Sequence, residues 1–519
     1  MEDYKLLRNI EPREYQKNIA DVASERNTLV VLPTGMGKTL ISVLVGIKRL
    51  EQYPESKILI TAPTRPLNAQ HKKSFGKFTS IDPEDIVLIT GKINPGERGK
   101  MYKKAKVIIS TPQCVQNDLK NGRLSLEDFS FVTFDEAHRC VKYYAYTFVA
   151  KKYMEQAKHP LILGLTASPG GTYGKISEIR ENLFIEAVEI RTESDGDVEP
   201  YVKPIAKELV YVELPEEFKK VKALFEDSLK DSMFWLRDHH FIQTLRPSKK
   251  ALVTMQKRIG ARVAQGARNY SLFWAMIRIA EAIKLGHAIE LLETQGISSL
   301  YSYMRKVGKS KKRTDQRLFK DPRIREAFKS IEELNEKGIE HPKLGKLADI
   351  VKELIEEKND VKIIVFANYR NTVNTIDELL TKNGIKSEIL VGQATRERKG
   401  LTQEKQVDIL RRFGGNEFNV LIGTSVSEEG LDVPAVDFAI FYEPVASEIR
   451  SIQRRGRVGR QTAGKTIFLI TKDTIDEGFF WSAFHKEKKM KGILYKMKNK
   501  TGKKKKAKPK KENLSDWVK

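Results

Sequence analysis

The sequence predicts an α/β protein with two parallel-sheet lobes and a mostly helical insertion domain between them. Short apolar runs alternate with helical patterns over residues 28–200, and the same alternation returns over 343–480. Between these stretches, apolar residues recur at helical spacing. The predicted domains are therefore a first lobe at 1–200, an insertion at 201–342, a second lobe at 343–485 and a Lys-rich tail or linker at 486–519, disordered at its end.

The predicted strands are continuous apolar runs bounded by turn residues, which is typical of a parallel sheet covered on both faces. In the first lobe they are Thr28–Leu32, Lys57–Ala62, Lys106–Ser110, Phe129–Phe134 and Leu161–Leu165. In the second lobe they are Lys362–Ala367, Ser387–Leu390, Val420–Gly423, Phe438–Tyr442 and Lys465–Thr471. One further strand-like run, Glu208–Glu213, precedes the helical pattern of the insertion.

The charge of the chain is large and unevenly distributed. The 519 residues carry a net charge of +25, and residues 241–320 and 486–511 each carry a net +13. Such segregation favours a polyanionic partner over the alternative, a thermostable surface of mixed signs. No run approaches the roughly 20 apolar residues of a membrane span, and the two cysteines cannot form a disulfide framework. We therefore expect a cytoplasmic protein that does not contact membranes.

A candidate nucleotide site begins at the first predicted strand. Residues 32–39 read Leu-Pro-Thr-Gly-Met-Gly-Lys-Thr, between a strand and a helix. The backbone of such a loop cradles phosphates at a helix N-terminus, and this loop is formed by Thr34, Gly35, Met36 and Gly37. We expect Lys38 to reach the β- and γ-phosphates of ATP and Thr39 to bind Mg²⁺. Leu32 stands where the general phosphate-loop pattern has glycine.

Two adjacent acids end another predicted strand. Asp135 and Glu136 follow the run Phe131-Val132-Thr133-Phe134. We expect Asp135 to hold Mg²⁺ through water and Glu136 to deprotonate the attacking water. A surface turn is the alternative interpretation, and the phosphate loop upstream disfavours it.

A run of arginines in the second lobe supplies the third element. Residues 453–460 read Gln-Arg-Arg-Gly-Arg-Val-Gly-Arg and precede a predicted strand. Phosphoryl transfer requires positive charge at the γ-phosphate in the transition state. We predict that Arg457 and Arg460 supply it and that Gln453 and Arg454 support them. The alternative is a solvated or nucleic-acid-binding surface.

Together these elements resemble superfamily 2 helicases with a DEAH-type acidic motif. Further stretches resemble the remaining helicase motifs in order: 12–16, 62–67, 110–113, 166–168, 366–368, 392–393 and 423–432. The resemblance implies two RecA-like lobes with ATP and Mg²⁺ as cofactors. It assigns nucleotide contacts to Arg13, Gln16, Gly430 and Asp432, phosphate contacts on the nucleic acid to Thr64, Arg65, Thr111, Gln393 and Thr424, and coupling between the two sites to His138, Thr166 and Ser168.

More closely, the chain resembles the archaeal Hef helicases and the Fanconi anaemia M translocases. The form of the motifs at 62–67 and 453–460 and the helical insertion carry this resemblance. It implies an ATP-dependent 3′–5′ DNA helicase or translocase that acts in DNA repair at the nucleoid, on forked or branched DNA such as stalled forks and Holliday junctions. Hef proteins also carry a C-terminal nuclease domain, which we expect to be missing from this chain. The sequence identifies no protein partner.

Two alternatives remain open on the sequence alone. One is an RNA-directed motor of the Dicer or RIG-I type, because phosphate contacts look alike for DNA and RNA. The other is a nucleotide-switched DNA-binding module with negligible turnover, which the intact set of Lys38, Glu136, Arg457 and Arg460 disfavours.

The insertion contributes a candidate surface for a duplex arm. Residues 241–280 contain no acid, and six of their basic residues form the predicted cluster: Arg246, Lys249, Lys250, Lys257, Arg258 and Arg262. We expect this cluster to contact DNA phosphates beside the motor groove without reading sequence. A solvated helix face is the alternative.

Overall fold

The protein contains two fully parallel sheets and a helical bundle. The structure is a computed structural model, and it describes residues 4–201, 205–266, 269–392, 400–424, 433–455 and 464–501. One sheet has seven strands and the other has six, and every strand pair within them is parallel. The predicted fold class is therefore confirmed.

The first lobe is built on the seven-stranded sheet, with strand order β3-β4-β2-β5-β6-β1-β7. Its strands are β1 (Thr28–Val31), β2 (Lys57–Thr61), β3 (Ile86–Ile89), β4 (Val107–Ser110), β5 (Phe129–Asp135), β6 (Ile162–Thr166) and β7 (Ala187–Ile190). Its helices are α1 (Glu14–Glu25), α2 (Lys38–Gln52), α3 (Arg65–Phe78), α4 (Pro95–Lys104), α5 (Pro112–Lys120), α6 (Ala145–Gln156) and α7 (Tyr173–Asn182). Apolar clusters cover both faces of the sheet. The two edge strands, β3 and β7, were not predicted.

The insertion is a helical bundle with its own two apolar clusters. Its helices are α8 (Glu216–Asp238), α9 (Lys249–Ala264), α10 (Tyr270–Thr294), α11 (Ile297–Gly308), α12 (Arg313–Leu318) and α13 (Pro322–Glu336). The long helices α8 and α10 pack against each other, and α9 packs on α10. A single helix, α10, therefore packs against the basic α9 and also against α8, α11 and α12.

The second lobe is built on the six-stranded sheet, with strand order β10-β11-β9-β12-β13-β8. Its strands are β8 (Ile205–Val212), β9 (Ile363–Phe366), β10 (Ser387–Leu390), β11 (Val420–Gly423), β12 (Phe438–Phe441) and β13 (Gly464–Thr471). Its helices are α14 (Pro342–Glu357), α15 (Arg370–Lys382), α16 (Gln403–Gly414) and α17 (Glu448–Arg455), followed by α18 (Ile475–Thr501).

The strand at the start of the predicted insertion belongs to the second lobe. β8 pairs in parallel with β13 along its whole length, from Ile205 opposite Gly464 to Val212 opposite Thr471. The predicted boundary at 201 is therefore wrong, because the chain first adds a strand to the second sheet and only then enters the bundle at α8.

The predicted tail is wrong over its first sixteen residues. Residues 486–501 continue α18, and the side chains of Met490, Leu494 and Met497 are buried in an apolar cluster of the first lobe. Phe480 and Phe484, near the start of the helix, are buried on the second-lobe side. α18 therefore straps the two lobes together. The rest of the predicted tail, 502–519, lies outside the described residues.

Candidate active site

The phosphate loop lies at the carboxyl end of β1, between the sheet and α2. Gly35 and Gly37 adopt positive φ angles of 87° and 73°, a conformation that glycine adopts readily. A Cβ at Gly37 would lie 2.4 Å from Nε2 of Gln16, so the close approach of α1 also requires glycine there. The Lys38 ammonium donates to the carbonyls of Leu32 (3.0 Å) and Pro33 (3.2 Å). The loop thus has the backbone shape and the cation that a triphosphate needs.

The N-terminal helix α1 supports this loop from outside. The Tyr15 hydroxyl donates to the Met36 carbonyl (2.9 Å), and Gln16 lies within 3.4 Å of the same oxygen. Gln16 also accepts from the Arg13 backbone N–H (2.9 Å), and the Arg13 guanidinium lies over the Tyr201 ring. The structure places Arg13 and Gln16 beside the phosphate loop, and their contact with a nucleotide stays a prediction.

The two acids lie at the carboxyl end of β5. Asp135 is 7% exposed, and one carboxylate oxygen accepts from the Glu136 N–H (2.9 Å). Burial acts to raise the pKa of Asp135, but the hydrogen bond and charge of His71 and the charge of Lys38 lower it below the ordinary value. The carboxylate is therefore kept charged in a nearly dry position, and its binding of Mg²⁺ together with Thr39 stays a prediction.

Glu136 has a strained backbone, with a φ of 51° and a ψ of 49°. A non-glycine residue in this region costs on the order of 1 kcal/mol. This left-handed conformation changes the direction of the chain directly after Asp135. The Glu136 Oε2 atom lies 3.2 Å from His138 Nδ1. The role of Glu136 as the base that deprotonates water stays a prediction.

The predicted coupling residues lie between the two halves of the site. In the sheet, β6 separates β1 from β5, so Thr166 at its end lies between the phosphate loop and the acids. His138 Nδ1 lies 3.1 Å from the Thr166 hydroxyl, which accepts from the Ser168 N–H (3.1 Å). The Ser168 hydroxyl in turn donates to the Met490 sulfur on α18 (3.0 Å). These three residues are therefore in contact with both the acids and the strap, although their coupling role stays a prediction.

Sequence reasoning missed two residues of this site. His71 of α3 is buried, and its Nε2 lies 2.9 Å from the Asp135 carboxylate. The Tyr146 hydroxyl of α6 donates to the Asp135 carbonyl (2.6 Å). A single buried polar residue on a helix gives no local signal of its partner, so spacing could not have identified either residue.

The predicted strand-gripping residues lie on the same edge of the first sheet. β2 and β4 are neighbours, and the helices α3 and α5 begin directly after them. Thr64 and Thr111 are the N-cap residues of these helices, and Arg65 is exposed. Thr424 follows β11 in the second lobe and is buried. The structure therefore places Thr64, Arg65 and Thr111 after neighbouring strands, with Thr64 and Arg65 at the start of the helix that carries His71.

In the second lobe, α17 contributes the residues of the arginine motif that the structure describes. Gln453 and Arg454 are buried, and Arg454 Nη2 donates to Asn368 Oδ1 (2.9 Å). At the other end of α17, Glu448 accepts from the Gly171 N–H of the first lobe (2.7 Å). Five predicted site residues lie outside the described residues: Gln393, Gly430, Asp432, Arg457 and Arg460.

The basic cluster of the insertion is solvent-accessible. All six of its residues are exposed, on α9 and the segment before it, while Leu252 and Ile259 anchor α9 in the bundle. Lys249 is paired with Glu290 of α10 (3.0 Å). The six basic residues are therefore accessible to solvent, and their contact with DNA stays a prediction. Among the described residues, no helix is long and apolar enough to cross a membrane.

Three family models match consecutive parts of the chain. The "DEAD/DEAH box helicase" model matches residues 13–176, and the "Helicase conserved C-terminal domain" model matches residues 345–462. Between them, residues 217–338 match the model "Putative ATP-dependent RNA helicase, helical bundle". The order of the matches is that of the first sheet, the bundle and the second sheet.

Curated relatives match nearly the whole chain. A "Putative ATP-dependent RNA helicase" of Methanocaldococcus jannaschii is 42% identical over 94% of this chain and 61% of its own length. The "ATP-dependent DNA helicase fml1" of Schizosaccharomyces pombe is 31% identical over 89% of this chain and 57% of its own length. The chain thus spans about three fifths of the length of these relatives.

The structure is also similar to a solved one. The crystal structure of the Pyrococcus furiosus Hef helicase domain superposes with a TM-score of 0.73 at 46% identity, covering 92% of this chain and 99% of that domain. The resemblance predicted from the motifs is confirmed. The chain therefore belongs to the superfamily 2 helicases of the DEAD/DEAH box type, a family of ATP-dependent motor enzymes, in the group that includes the Hef helicase domain.

Proposed function

We propose that the chain is an ATP-driven DNA helicase or translocase that moves 3′–5′ and acts on forked or branched DNA in DNA repair. One observation supports this most directly: α3 begins with the strand-gripping residues Thr64 and Arg65 and, two turns later, holds Asp135 through His71. A single rigid helix thus connects the nucleic-acid groove with the hydrolysis site. The proposed substrates would place the protein at the nucleoid in the cytoplasm.

In the proposed hydrolysis, the first lobe holds the nucleotide and prepares the water. The phosphate loop and Lys38 would bind the triphosphate, and Thr39 and Asp135 would hold Mg²⁺, which would supply positive charge to the phosphates. Glu136 orients the attacking water and accepts its proton. We assign the stabilisation of the transition-state charge to Arg457 and Arg460, with Gln453, Gly430 and Asp432 completing the second-lobe side.

In the proposed movement, the two lobes hold one strand by its phosphates. Contacts from Thr64, Arg65, Thr111, Gln393 and Thr424 position the strand without reading bases. Closing and opening of the cleft during each ATP cycle then displaces one lobe relative to the other along the strand. The exposed basic face of α9 holds a duplex arm, which gives a branched substrate two points of attachment.

An RNA substrate is the second candidate. It is favoured by the names of the bundle model and of the Methanocaldococcus jannaschii relative, both of which refer to RNA helicases. Phosphate contacts do not distinguish the two nucleic acids, because only the 2′-hydroxyl marks RNA in a single strand. The name of the fission yeast relative favours DNA instead.

The test is the ATPase rate of the full chain with single-stranded, duplex, forked and four-way DNA and with duplex RNA. We expect forked and four-way DNA to stimulate most, and strand displacement to require a 3′ single-stranded tail. Greatest stimulation by duplex RNA would favour the RNA candidate, and displacement from a 5′ tail would contradict the polarity.

The contribution of α9 is tested by replacing Arg246, Lys250, Lys257, Arg258 and Arg262 with glutamine. We expect about tenfold weaker binding of forked DNA and a shallower dependence of affinity on salt, because fewer counterions are released. The control replaces Lys346 and Lys352, exposed residues of α14, with glutamine. Unchanged fork binding and unwinding in the α9 variant would refute the duplex-arm assignment.

A further inference from the structure

We propose that a buried chain of hydrogen bonds transmits the position of the insertion to α17, and that Gln295 is the positioning residue through which DNA on the insertion stimulates ATP hydrolysis. This hydrogen-bond network runs from Gln295 through Glu443 and Asn368 to Arg454. It connects three elements that are distant in sequence. The proposal rests on the proposed function, since it requires nucleic acid to stimulate hydrolysis.

The hydrogen-bond network begins where α10 ends against the second lobe. Gln295 is the C-cap residue of α10 and is 6% exposed. Its Nε2 donates to Glu443 Oε1 (2.6 Å), and its Oε1 accepts from the Thr372 hydroxyl on α15 (2.7 Å). Both ends of the amide are therefore fixed, so a movement of α10 displaces the Glu443 carboxylate or breaks the bond to it.

The hydrogen-bond network continues from Glu443 to α17. The other Glu443 oxygen accepts from the Asn368 N–H (2.6 Å). The Asn368 side-chain oxygen accepts from Arg454 Nη2 (2.9 Å) and from Arg450 Nη2 (3.3 Å). Both arginines belong to α17, which leads directly into residues 457 and 460. A displacement of Glu443 therefore reaches α17, the helix that precedes the proposed transition-state arginines in the sequence.

The burial of these groups indicates that the hydrogen-bond network fixes the position of the bundle relative to α17. Glu443 is 1% exposed and Arg454 is fully buried, lying over the rings of Phe366 and Phe441. Buried charges cost desolvation energy, and apolar side chains of similar size are often as stable or more so. Hydrogen bonds among buried polar groups instead restrict the relative positions of the groups they join. The network thus joins the bundle to α17 in a single relative position.

A second contact links the basic helix to the same point. Lys249 of α9 pairs with one oxygen of Glu290 on α10, and the other oxygen accepts from the Tyr369 hydroxyl (3.1 Å). Tyr369 directly follows Asn368. Because α10 has 25 residues and rises about 1.5 Å per residue, it extends from the α9 contact to Gln295 as one rigid rod. DNA phosphates that attract Lys249 therefore act on the same junction.

The experiment replaces Gln295 with methionine, which preserves length and removes both hydrogen bonds. The control, Gln316→Met, makes the same change at an exposed position of α12. In the full chain, we measure the ATPase rate with and without forked DNA, fork affinity with and without a non-hydrolysable ATP analogue, and the thermal midpoint.

For Gln295→Met we expect a DNA-free kcat and a fork Kd within about twofold of the unmodified chain, and a DNA-stimulated kcat lowered at least about fivefold, the lower end of typical coupling between sites. The effect of the ATP analogue on fork affinity should also shrink, because the same network couples the nucleotide site to the DNA-binding insertion. A merely structural role would lower both rates together. Full stimulation of Gln295→Met by forked DNA would overturn the proposal.

A second variant covers the case in which Gln295→Met fails to fold. Thr372→Val keeps the shape of the side chain and frees the Gln295 amide to rotate, so we expect stimulation reduced at least about twofold at an unchanged DNA-free rate. Full stimulation in a folded Thr372→Val would equally overturn the proposal. If no nucleic acid stimulates the unmodified chain, the proposed function itself fails.

Discussion

Two buried carboxylates, Asp135 in the first lobe and Glu443 in the second, lie at the carboxyl ends of central strands and differ in the way their charge is controlled. Asp135 is the last residue of β5, and Glu443 is two residues beyond β12. Both side chains are almost excluded from solvent. Burial acts to raise the pKa of each carboxylate, and the balance between burial and the neighbouring groups sets the charge state.

The neighbours act in opposite balance. The hydrogen bond and charge of His71 and the charge of Lys38 outweigh burial at Asp135 and lower its pKa. At Glu443, burial outweighs the Asn368 N–H bond and the charges of Lys343 and Arg454, and the nearby Asp476 adds repulsion, so the pKa rises to about 7. The lowered pKa therefore favours the anionic form of Asp135, which suits a cation site. The second carboxylate, Glu443, exchanges a proton near neutral pH, and it lies at the contact between α10 of the bundle and the second lobe.

The same neutralisation at the two positions should have very different effects. For Asp135→Asn we expect the DNA-free kcat to fall about 1,000-fold, because loss of a ligand of the proposed Mg²⁺ site would forfeit several kcal/mol of transition-state stabilisation. For Glu443→Gln we expect the DNA-free kcat to stay within about twofold. The measurement is the ATPase rate at saturating ATP, and equal losses in the two variants would refute the distinction.

The residue next to Asp135 sharpens the comparison. Glu136→Gln should still bind ATP and forked DNA but lose hydrolysis about 100-fold or more, because an amide cannot accept the proton of the attacking water. Equilibrium binding of a fluorescent ATP analogue, measured beside the ATPase rate, separates the two effects. Retained hydrolysis would remove Glu136 from the role of base.

The proton-sensitive carboxylate should also make stability depend on pH. Because the pKa of Glu443 is about 7 in the folded protein and its ordinary value is 4.5, the folded state binds more protons between these values. Its contribution to stability is full below pH 4.5 and is lost as the pH rises through 7. We therefore expect the unmodified chain to lose about 2 kcal/mol relative to Glu443→Gln between pH 5 and 8.

The control for this measurement is a buried carboxylate that is held charged. The Arg98 guanidinium, with Arg123 and Tyr102, overcomes burial and lowers the pKa of Asp118 to about 2. Its contribution is present above the ordinary value of 3.8 and is lost only as the pH falls toward 2. Denaturant unfolding of Asp118→Asn should thus show a constant difference from the unmodified chain between pH 5 and 8. A constant difference for Glu443→Gln as well would contradict the raised pKa.

The sequence predicted those parts of the molecule whose structural requirements are met by residues close together in the sequence. The loop with Gly35 and Gly37 needs positive φ angles within four residues, and Asp135 and Glu136 end a continuous apolar strand. Such demands leave a signature of fixed spacing. The two sheets were predictable for the same reason, because their central strands are buried on both faces.

The parts that sequence did not predict depend on distant partners. β8 pairs with β13 more than 250 residues away, which no local pattern encodes. In α18, Met490, Leu494 and Met497 follow helical spacing, but seven lysines in 486–500 gave the stretch the composition of a solvated tail. Glu443 gave no signal either, because the partners that shift its pKa come from other elements of the chain.

His71 tests what makes Asp135 different from Glu443, because it supplies the hydrogen bond that keeps Asp135 charged and oriented. For His71→Leu we expect the Mg²⁺ concentration for half-maximal ATPase activity to rise about tenfold, since loss of a group that orients a metal ligand typically costs 10- to 100-fold in metal affinity. His71→Gln should restore most of this loss, because its terminal amide donates from a position similar to Nε2. His159→Leu, at an exposed histidine, is the matched control. An unchanged Mg²⁺ dependence in His71→Leu, with fork binding intact, would show that Lys38 and the Glu136 N–H suffice to hold Asp135. It would also show that the helix α3 does not connect the proposed nucleic-acid groove to the proposed metal site.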